Sequence, residues 1–235
     1  ALMEQMGVET VLMLPFTQDF AAMPPEVFIQ NILLERLGMQ RLFVGHDWTF
    51  GQDGRGNFSL VERLAAEQGF SVTRLEPVMI RGEAVSSSRI RDLLQKGNIR
   101  LANAMLERYF SVSGEVVKGF QRGRTIGFPT ANLKPDARIL PKTGGYITYA
   151  EVDGRMYGAM TNIGNNPTFG NDHVTVETHI LDFSADIYGK TICLHFVDFL
   201  SEEQKFNGIE ALKAHLRRVE QEVRAWLGMA VAPST

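Results

Sequence analysis

The chain has one cysteine in 235 residues. A single thiol excludes an intrachain disulfide framework and a CxxC-type zinc site, and it fits a reducing cytoplasm. Cys193 lies in the apolar, strand-like run Thr191-Ile192-Cys193-Leu194-His195-Phe196 and reads as a packed core thiol. An excess of either charge sign is also missing. The 24 Lys and Arg against 27 Asp and Glu leave a net charge of −3, so no global basic field points to nucleic acid. No apolar run approaches the roughly 20 residues that a membrane helix needs, and no membrane partner is expected. Internal repeats and low-complexity tracts are lacking too. What is present is 44% hydrophobic and 22% charged. That describes a globular chain with a core, long enough for one large or two ordinary domains.

The first residues, Ala1 to Leu14, have neither a basic n-region nor a small-residue cleavage site. They read as a helix end, a stop at Gly7, then a buried strand Thr10–Leu14. A chain that opens inside a helix-to-strand connection is expected to be part of a longer protein.

Up to about Tyr109, short apolar strands alternate with amphipathic helices. A helix around Pro25–Leu37 carries Phe28, Ile32, Leu33 and Leu37 on one stripe. Strand Arg41–Val44, helix Ser59–Gln68, strand Ser71–Leu75 and helices Ser87–Gln95 and Ile99–Leu106 follow. Strands spaced by helices predict a parallel α/β sheet. After that the grammar changes. Val112–Val117, Thr130–Leu133, Gly145–Val152, Arg155–Asn162, Thr175–Leu181 and Thr191–Phe199 read as strands. Turn residues separate them, Asp153-Gly154 being a strong hairpin signal. This predicts a small antiparallel barrel or sandwich. Asn207 and Glu210 look like a capping box for a last helix. Its stripe of Ile209, Leu212, Leu216, Val219, Val223 and Trp226 reads as a core face. The domain boundary is expected near residues 107–111, and residues 231–235 as a frayed tail.

The most informative segment is Gly119-Phe120-Gln121-Arg122-Gly123-Arg124-Thr125-Ile126-Gly127-Phe128-Pro129-Thr130-Ala131-Asn132. Glycines let a backbone approach phosphates, and successive loop N–H groups cradle an anion. Beyond rigid Pro129, Thr130 and Asn132 are two apart and project the same way from a strand. A hydroxyl and an amide oxygen beside a phosphate cradle suit Mg²⁺, so phosphoryl transfer is the first hypothesis. An ordinary glycine-rich hairpin is the alternative. Downstream, Glu177 and His179 share one face of the apolar strand Val176-Glu177-Thr178-His179. Glu177 reads either as a general base or as a carboxylate paired with a surface cation, and His179 as a hydrogen-bonded structural residue. Asn162–Gly170 and Asp186–Lys190 read as a shaped loop and a turn. In the first half, Asp47 follows a strand at its carboxyl end, where open α/β sheets bind ligands. Ser86-Ser87-Ser88-Arg89-Ile90-Arg91 opens a helix, which is either a phosphate site or a plain serine cap.

In this order the motifs resemble the bacterial bifunctional riboflavin kinase/FMN adenylyltransferase (FAD synthetase) family over nearly the whole chain. The resemblance implies residues 1–108 as a Rossmann-like nucleotidyltransferase portion. Residues 109–230 would form a riboflavin-kinase-type β-barrel with a carboxyl-terminal helix. It implies that Thr130 and Asn132 bind Mg²⁺ and the phosphates of ATP, under a loop containing Gly119, Gly123, Arg124 and Gly127. Glu177 would be the base acting on the ribityl 5′-hydroxyl, and the barrel with its last helix would hold the isoalloxazine. Ser87, Ser88 and Arg91 would contact ATP in the adenylyltransferase site, with Asp47 near nucleotide or flavin. Riboflavin, FMN and ATP are the implied partners; self-association is left open. Two departures stand out. The histidine-rich phosphate motif of the family is not in the sequence, so this chain is expected not to make FAD. Ser201 occupies a position where the family often has Arg. A flavin-binding or regulatory protein without turnover is the competing reading.

Overall fold

The computed structural model describes residues 2–119, 121–137, 139–166, 173–204 and 206–228. Phe120, residues 167–170 of the expected shaped loop, and the expected tail at 231–235 lie outside them. The chain divides into two compact units, Ala1–Met79 and Ile80–Thr235.

In the first unit, the short helices α1 (Leu2–Gln5) and α2 (Gln18–Ala21) precede α3 (Pro25–Val27), which runs into a π-helical stretch, Phe28–Arg36. The wider winding appears where the Leu37 N–H donates to the Ile32 carbonyl, 3.1 Å away and five residues back. Strand β1 (Arg41–Gly45), helix α4 (Phe58–Gln68) and strand β2 (Ser71–Leu75) form a β–α–β unit whose strands pair in parallel, Arg41 opposite Ser71. The Asn57 side chain accepts from the Leu60 N–H at 3.0 Å to start α4, and Gly69 ends it. Ile29, Phe50, Val61, Ala65 and Phe70 form the core. The expected strand at Thr10–Leu14 does not form. Val11, Leu12, Met13 and Leu14 are exposed. An apolar run becomes a strand only where a neighbour completes its ladder, and among the described residues none pairs with this one.

A two-residue ribbon, β3 (Met79–Ile80) with β4 (Glu83–Ala84), leads to α5 (Ser87–Gln95) and α6 (Ile99–Leu106). The rest of the second unit is a barrel of β5 (Phe110–Val117), β6 (Ala131–Pro135), β7 (Gly144–Val152), β8 (Arg155–Asn166), β9 (His173–Ile180) and β10 (Thr191–Ser201). A short helix, α7 (Arg122–Thr125), lies between β5 and β6. The strands close in the order β10-β5-β6-β9-β8-β7, all pairs antiparallel. Asp153 and Gly154 both take positive φ, 49° and 76°, as the expected β7–β8 hairpin turn requires.

Side chains alternate across the barrel wall. Tyr146, Ala150, Ala159, Ile163, Val176, Ile180, Ile192, Leu194 and Phe196 fill the interior with Leu93, Leu94, Ile99, Ala102 and Met105 from α5 and α6. Within it a chain of buried hydroxyls crosses three strands. Thr148 and Thr161 Oγ1 lie 2.8 Å apart, and Thr161 donates to Thr178 at 2.9 Å. Cys193 is half-buried on the outer face of β10, not a core thiol, because Ile192 and Leu194 take the inward positions.

The last helix, α8 (Ile209–Trp226), packs Val223 against Ile147, Met160, Leu181 and Val197 on the outer barrel wall. The expected Asn207–Glu210 capping box is not made: Gly208, with φ 99°, takes the cap position and no side chain caps the helix. The helix therefore starts one residue too late for Asn207 to reach its free N–H groups. Its stripe is also not wholly core, since Ile209 and Trp226 are exposed. Arg224, its side chain 5% exposed, forks onto Asp182 with bonds of 2.9 and 2.6 Å and donates to Glu220 at 2.9 Å. This clamp ties α8 to the end of β9.

Two outcomes follow for the clamp. Arg224→Ala should lower stability by about 1–3 kcal/mol, read by urea or thermal melting. The hydrogen bond from Arg224 holds the Asp182 carboxyl below its ordinary range. Its contribution is therefore present above the unfolded pKa, about 4, and is lost as pH falls through the lower folded value. Asp182→Asn should flatten the drop in melting temperature below about pH 4; an acid limb identical to that of the unmodified chain would contradict this linkage.

Candidate functional site

The glycine-rich segment bridges β5 and β6, and two of its glycines are fixed by close approach. A Cβ on Gly119 would sit 2.5 Å from the Asn132 side-chain amide. One on Gly123 would overlap the Phe128 carbonyl and lie 3.4 Å from Thr130 Oγ1. The backbone thus lies directly against both polar side chains that the sequence singled out. The end of the loop is fastened from β9. His179 Nδ1 donates to the Pro129 carbonyl at 2.8 Å, and its ring meets buried Phe128 edge-on at 5.4 Å. That agrees with a structural histidine.

Strand register assembles the polar centre. Asn132 on β6 lies opposite Glu177 on β9, and Glu177 lies opposite Asn162 on β8. Directly opposed residues in antiparallel strands present their side chains on the same face, so the three form one row across the barrel wall. Asn162 ends the expected strand Arg155–Asn162 and opens the expected loop, but Asn162 to Asn166 continue β8. A lone asparagine before Ile163-Gly164 carries no sign of its partner strand, so nothing local marks it as a site residue.

Glu177 and Asn162 of this row open into a cleft of about 390 Å³ between the barrel and α8, whereas Asn132 is not among its lining residues. Thr130, Asn162, Glu177 and His179 line its polar end. Ile126, Phe128, Met160 and Leu200 on the barrel side face Leu212, Leu216 and Val219 of α8. Part of the helix stripe expected to be core is therefore a cleft wall. Phe206 and His215 add a second aromatic surface, with ring centroids 4.7 Å apart. Burial, then the nearby Arg218, holds His215 below the ordinary imidazole value, so it is neutral at pH 7. Burial and then Glu202 push the Tyr146 phenol up, and its hydroxyl donates to the Lys142 carbonyl. Ser201 lines the cleft beside Glu202, and Glu202 pairs with Lys142 at 2.5 Å.

A second pocket, about 320 Å³, lies between Arg124 and the connection Phe183 to Tyr188. Gln121 Nε2 donates to the Tyr188 hydroxyl across the same gap at 3.3 Å. Thr130 lines both pockets. The expected turn at Asp186–Lys190 is present. Its backbone zips onto β5 through Val116 with two 2.9 Å bonds, and the Asp186 carboxylate accepts from the Tyr188 N–H at 3.0 Å.

The remaining candidate residues stand elsewhere. Asp47 follows β1 in the first unit, its side chain 79% exposed and 3.7 Å from His46. Ser87, Ser88 and Arg91 are exposed on the first turns of α5, where Ser86 accepts from the Arg89 N–H at 3.2 Å as the cap. Gly127 takes φ 89° in the turn after α7. Thr130, Asn132 and Glu177 supply oxygen donors only, a set suited to a hard cation held with phosphates.

Residues 106–227 match the riboflavin kinase family, and residues 1–89 match the FAD synthetase family. The chain is 37% identical over 208 residues to a bifunctional riboflavin kinase/FMN adenylyltransferase of Pseudomonas fluorescens, covering 88% of this chain and 67% of that protein. It is 35% identical over 224 residues to the protein of the same description from Bacillus subtilis, covering 93% and 70%. A crystal structure described as a macrolide-efflux protein from Streptococcus pneumoniae superposes with a TM-score of 0.87 at 32% identity, over 95% of this chain and 72% of that one. Among the described residues of this chain, no helix is long and apolar enough to cross a membrane. With half the chain matched to the kinase and the greater part of its length shared with these relatives, the chain belongs to the bifunctional riboflavin kinase/FMN adenylyltransferase family.

Proposed function

We propose that residues 109–230 transfer the γ-phosphoryl group of ATP to the 5′-hydroxyl of riboflavin, giving FMN. One observation carries the reading: Thr130 belongs to two adjoining pockets, and Glu177 lines the larger of them. Phosphoryl transfer needs donor and acceptor to meet in line at one point, with little further chemistry asked of the protein. The larger cleft, apolar and aromatic with a polar end, suits a flat isoalloxazine whose ribityl chain runs toward Glu177. The smaller pocket, beside Arg124 and the glycine-rich loop, suits the nucleotide.

In this arrangement Glu177 orients the hydroxyl and accepts its proton as the oxygen attacks phosphorus. The Thr130 hydroxyl and the Asn132 amide oxygen would hold the metal–nucleotide, with the glycine-rich loop lying close to the phosphates. Bound Mg²⁺ would neutralise charge on the β- and γ-phosphates. His179 keeps Pro129, and with it Thr130, at a fixed distance from Glu177 on the same strand. Packing of the apolar walls around the flavin excludes water from the attacking hydroxyl, which favours transfer over ATP hydrolysis.

Adenylylation of FMN, the family's second reaction, would draw on Ser87, Ser88 and Arg91 at the start of α5. The α5 amino terminus, already capped by Ser86, offers N–H groups to a phosphate.

For the kinase, Glu177→Ala should lower kcat by about 10²–10⁴-fold with ATP affinity nearly unchanged, in an assay of FMN formation. Normal turnover would remove the base assignment, and FMN formation by the unmodified chain separates catalysis from flavin binding alone. Thr130→Ala should abolish the Mg²⁺-dependent part of ATP binding in calorimetry, whereas equal binding with and without the hydroxyl would count against the metal role. For adenylylation, this chain incubated with FMN, ATP and Mg²⁺ should release no pyrophosphate, because it lacks the histidine-rich phosphate motif. Robust FAD formation would show that the motif is dispensable.

A further inference from the structure

The outer barrel wall carries a second cluster of chemically active side chains that phosphoryl transfer does not use. Cys193 on β10 lies opposite Glu151 on β7, and His195 is two residues further along β10 on the same outward face. One donor atom from each of the three lies within 4.8 Å of the other two. His195 Nε2 donates to Glu151 Oε2 at 3.1 Å. On the other flank of β10, Ser113 pairs with Cys193 and Ser111 with His195 in the strand register. Tyr146, the nearest residue of β7 that lines the cleft, is five residues from Glu151, about 16 Å along the strand.

We propose that Glu151, Cys193 and His195 form a three-ligand site for a borderline divalent cation of the zinc class. Sulfur, imidazole nitrogen and carboxylate oxygen at bond lengths of about 2.0–2.3 Å form three corners of a tetrahedron, and water takes the fourth. The donors need to close by only about 1 Å, which side-chain rotation supplies without moving the ladder that fixes their Cβ atoms. The half-buried imidazole and more exposed carboxylate, 22% and 43% accessible, leave a path for the ion. Thiolate and imidazole select this class of metal over Mg²⁺, so the site is chemically distinct from the all-oxygen set at Thr130 and Asn132. A metal here joins β7 and β10, the pair whose contact closes the barrel.

Cobalt(II) titration of the reduced, tag-free chain in excess Mg²⁺ tests this, because thiolate ligation gives a near-ultraviolet charge-transfer band and intense visible ligand-field bands. The expected result is one equivalent of such cobalt, displaced by zinc, with a zinc-dependent rise in melting temperature. Cys193→Ser should abolish the charge-transfer band, and Glu151→Gln and His195→Gln should each weaken zinc binding at least tenfold. Mg²⁺-dependent FMN formation should persist in all three. Glu151→Gln alters the most exposed ligand and keeps the test valid if Cys193→Ser does not fold. A chain without the charge-transfer band, or variants that bind zinc as tightly as the unmodified chain, would overturn the site.

Discussion

Everything that faces the cleft depends on the register of β9 between β6 and β8. With Glu177 opposite both Asn132 and Asn162, the carboxylate and two amides share a face, while Val176, Thr178 and Ile180 point into the barrel. A slip of one residue would exchange the two sets, burying Glu177 and His179 and exposing the apolar side chains. The hydrophobic interior opposes that slip, and so do the linked hydroxyls of Thr148, Thr161 and Thr178. These groups are satisfied only in the observed pairing, and a buried hydroxyl left without its partner costs about 1–3 kcal/mol. The threonines therefore specify register as much as they add stability.

Around that frame the mobile kinds of structure are tied down at a few points. The glycine-rich segment is free of regular pairing between β5 and β6, yet His179 fixes Pro129 and Phe128 is buried. Helix α8 forms one wall of the cleft and is held by the Arg224 fork at its carboxyl-terminal end. Its other end has no side-chain cap and begins at a glycine. Rigid strands thus carry the polar row, and less regular segments supply the surfaces around it, the usual division between scaffold and binding loops.

Much of this was legible in the sequence because it is encoded locally. The two-residue period of the β half gave strands close to their observed bounds. Asp153-Gly154 marked its hairpin, and the spacing of Thr130 and Asn132 placed both on one face before β9 was known. What was not legible is information held by partners. The apolar run at Thr10–Leu14 has strand composition but no ladder. Asn162 acquires its place only from pairing with Glu177, and Cys193 lies outward because its neighbours face in. The α8 stripe has core periodicity, but whether Leu212 and Leu216 meet packed atoms or a cleft depends on the barrel's shape. The misplaced cap at Asn207 is a one-residue boundary error, the kind that local pattern resolves least well.

In the proposed reaction the two pockets would place contrasting physical demands on Thr130, the one residue they share among the described residues. A flavin ring gains from apolar contact and loss of water, whereas a triphosphate needs polar donors and a hard cation. A single mixed cavity would compromise both. In the proposed arrangement the two would be kept apart by β9, whose Thr178 and Ile180 line the smaller pocket and whose Glu177 and His179 line the larger. Thr130, at the foot of β6 where the ladder starts, is short enough to border both without filling either. In that arrangement the hydrogen bond from His179 to Pro129 would help to hold Thr130 in place between the two pockets.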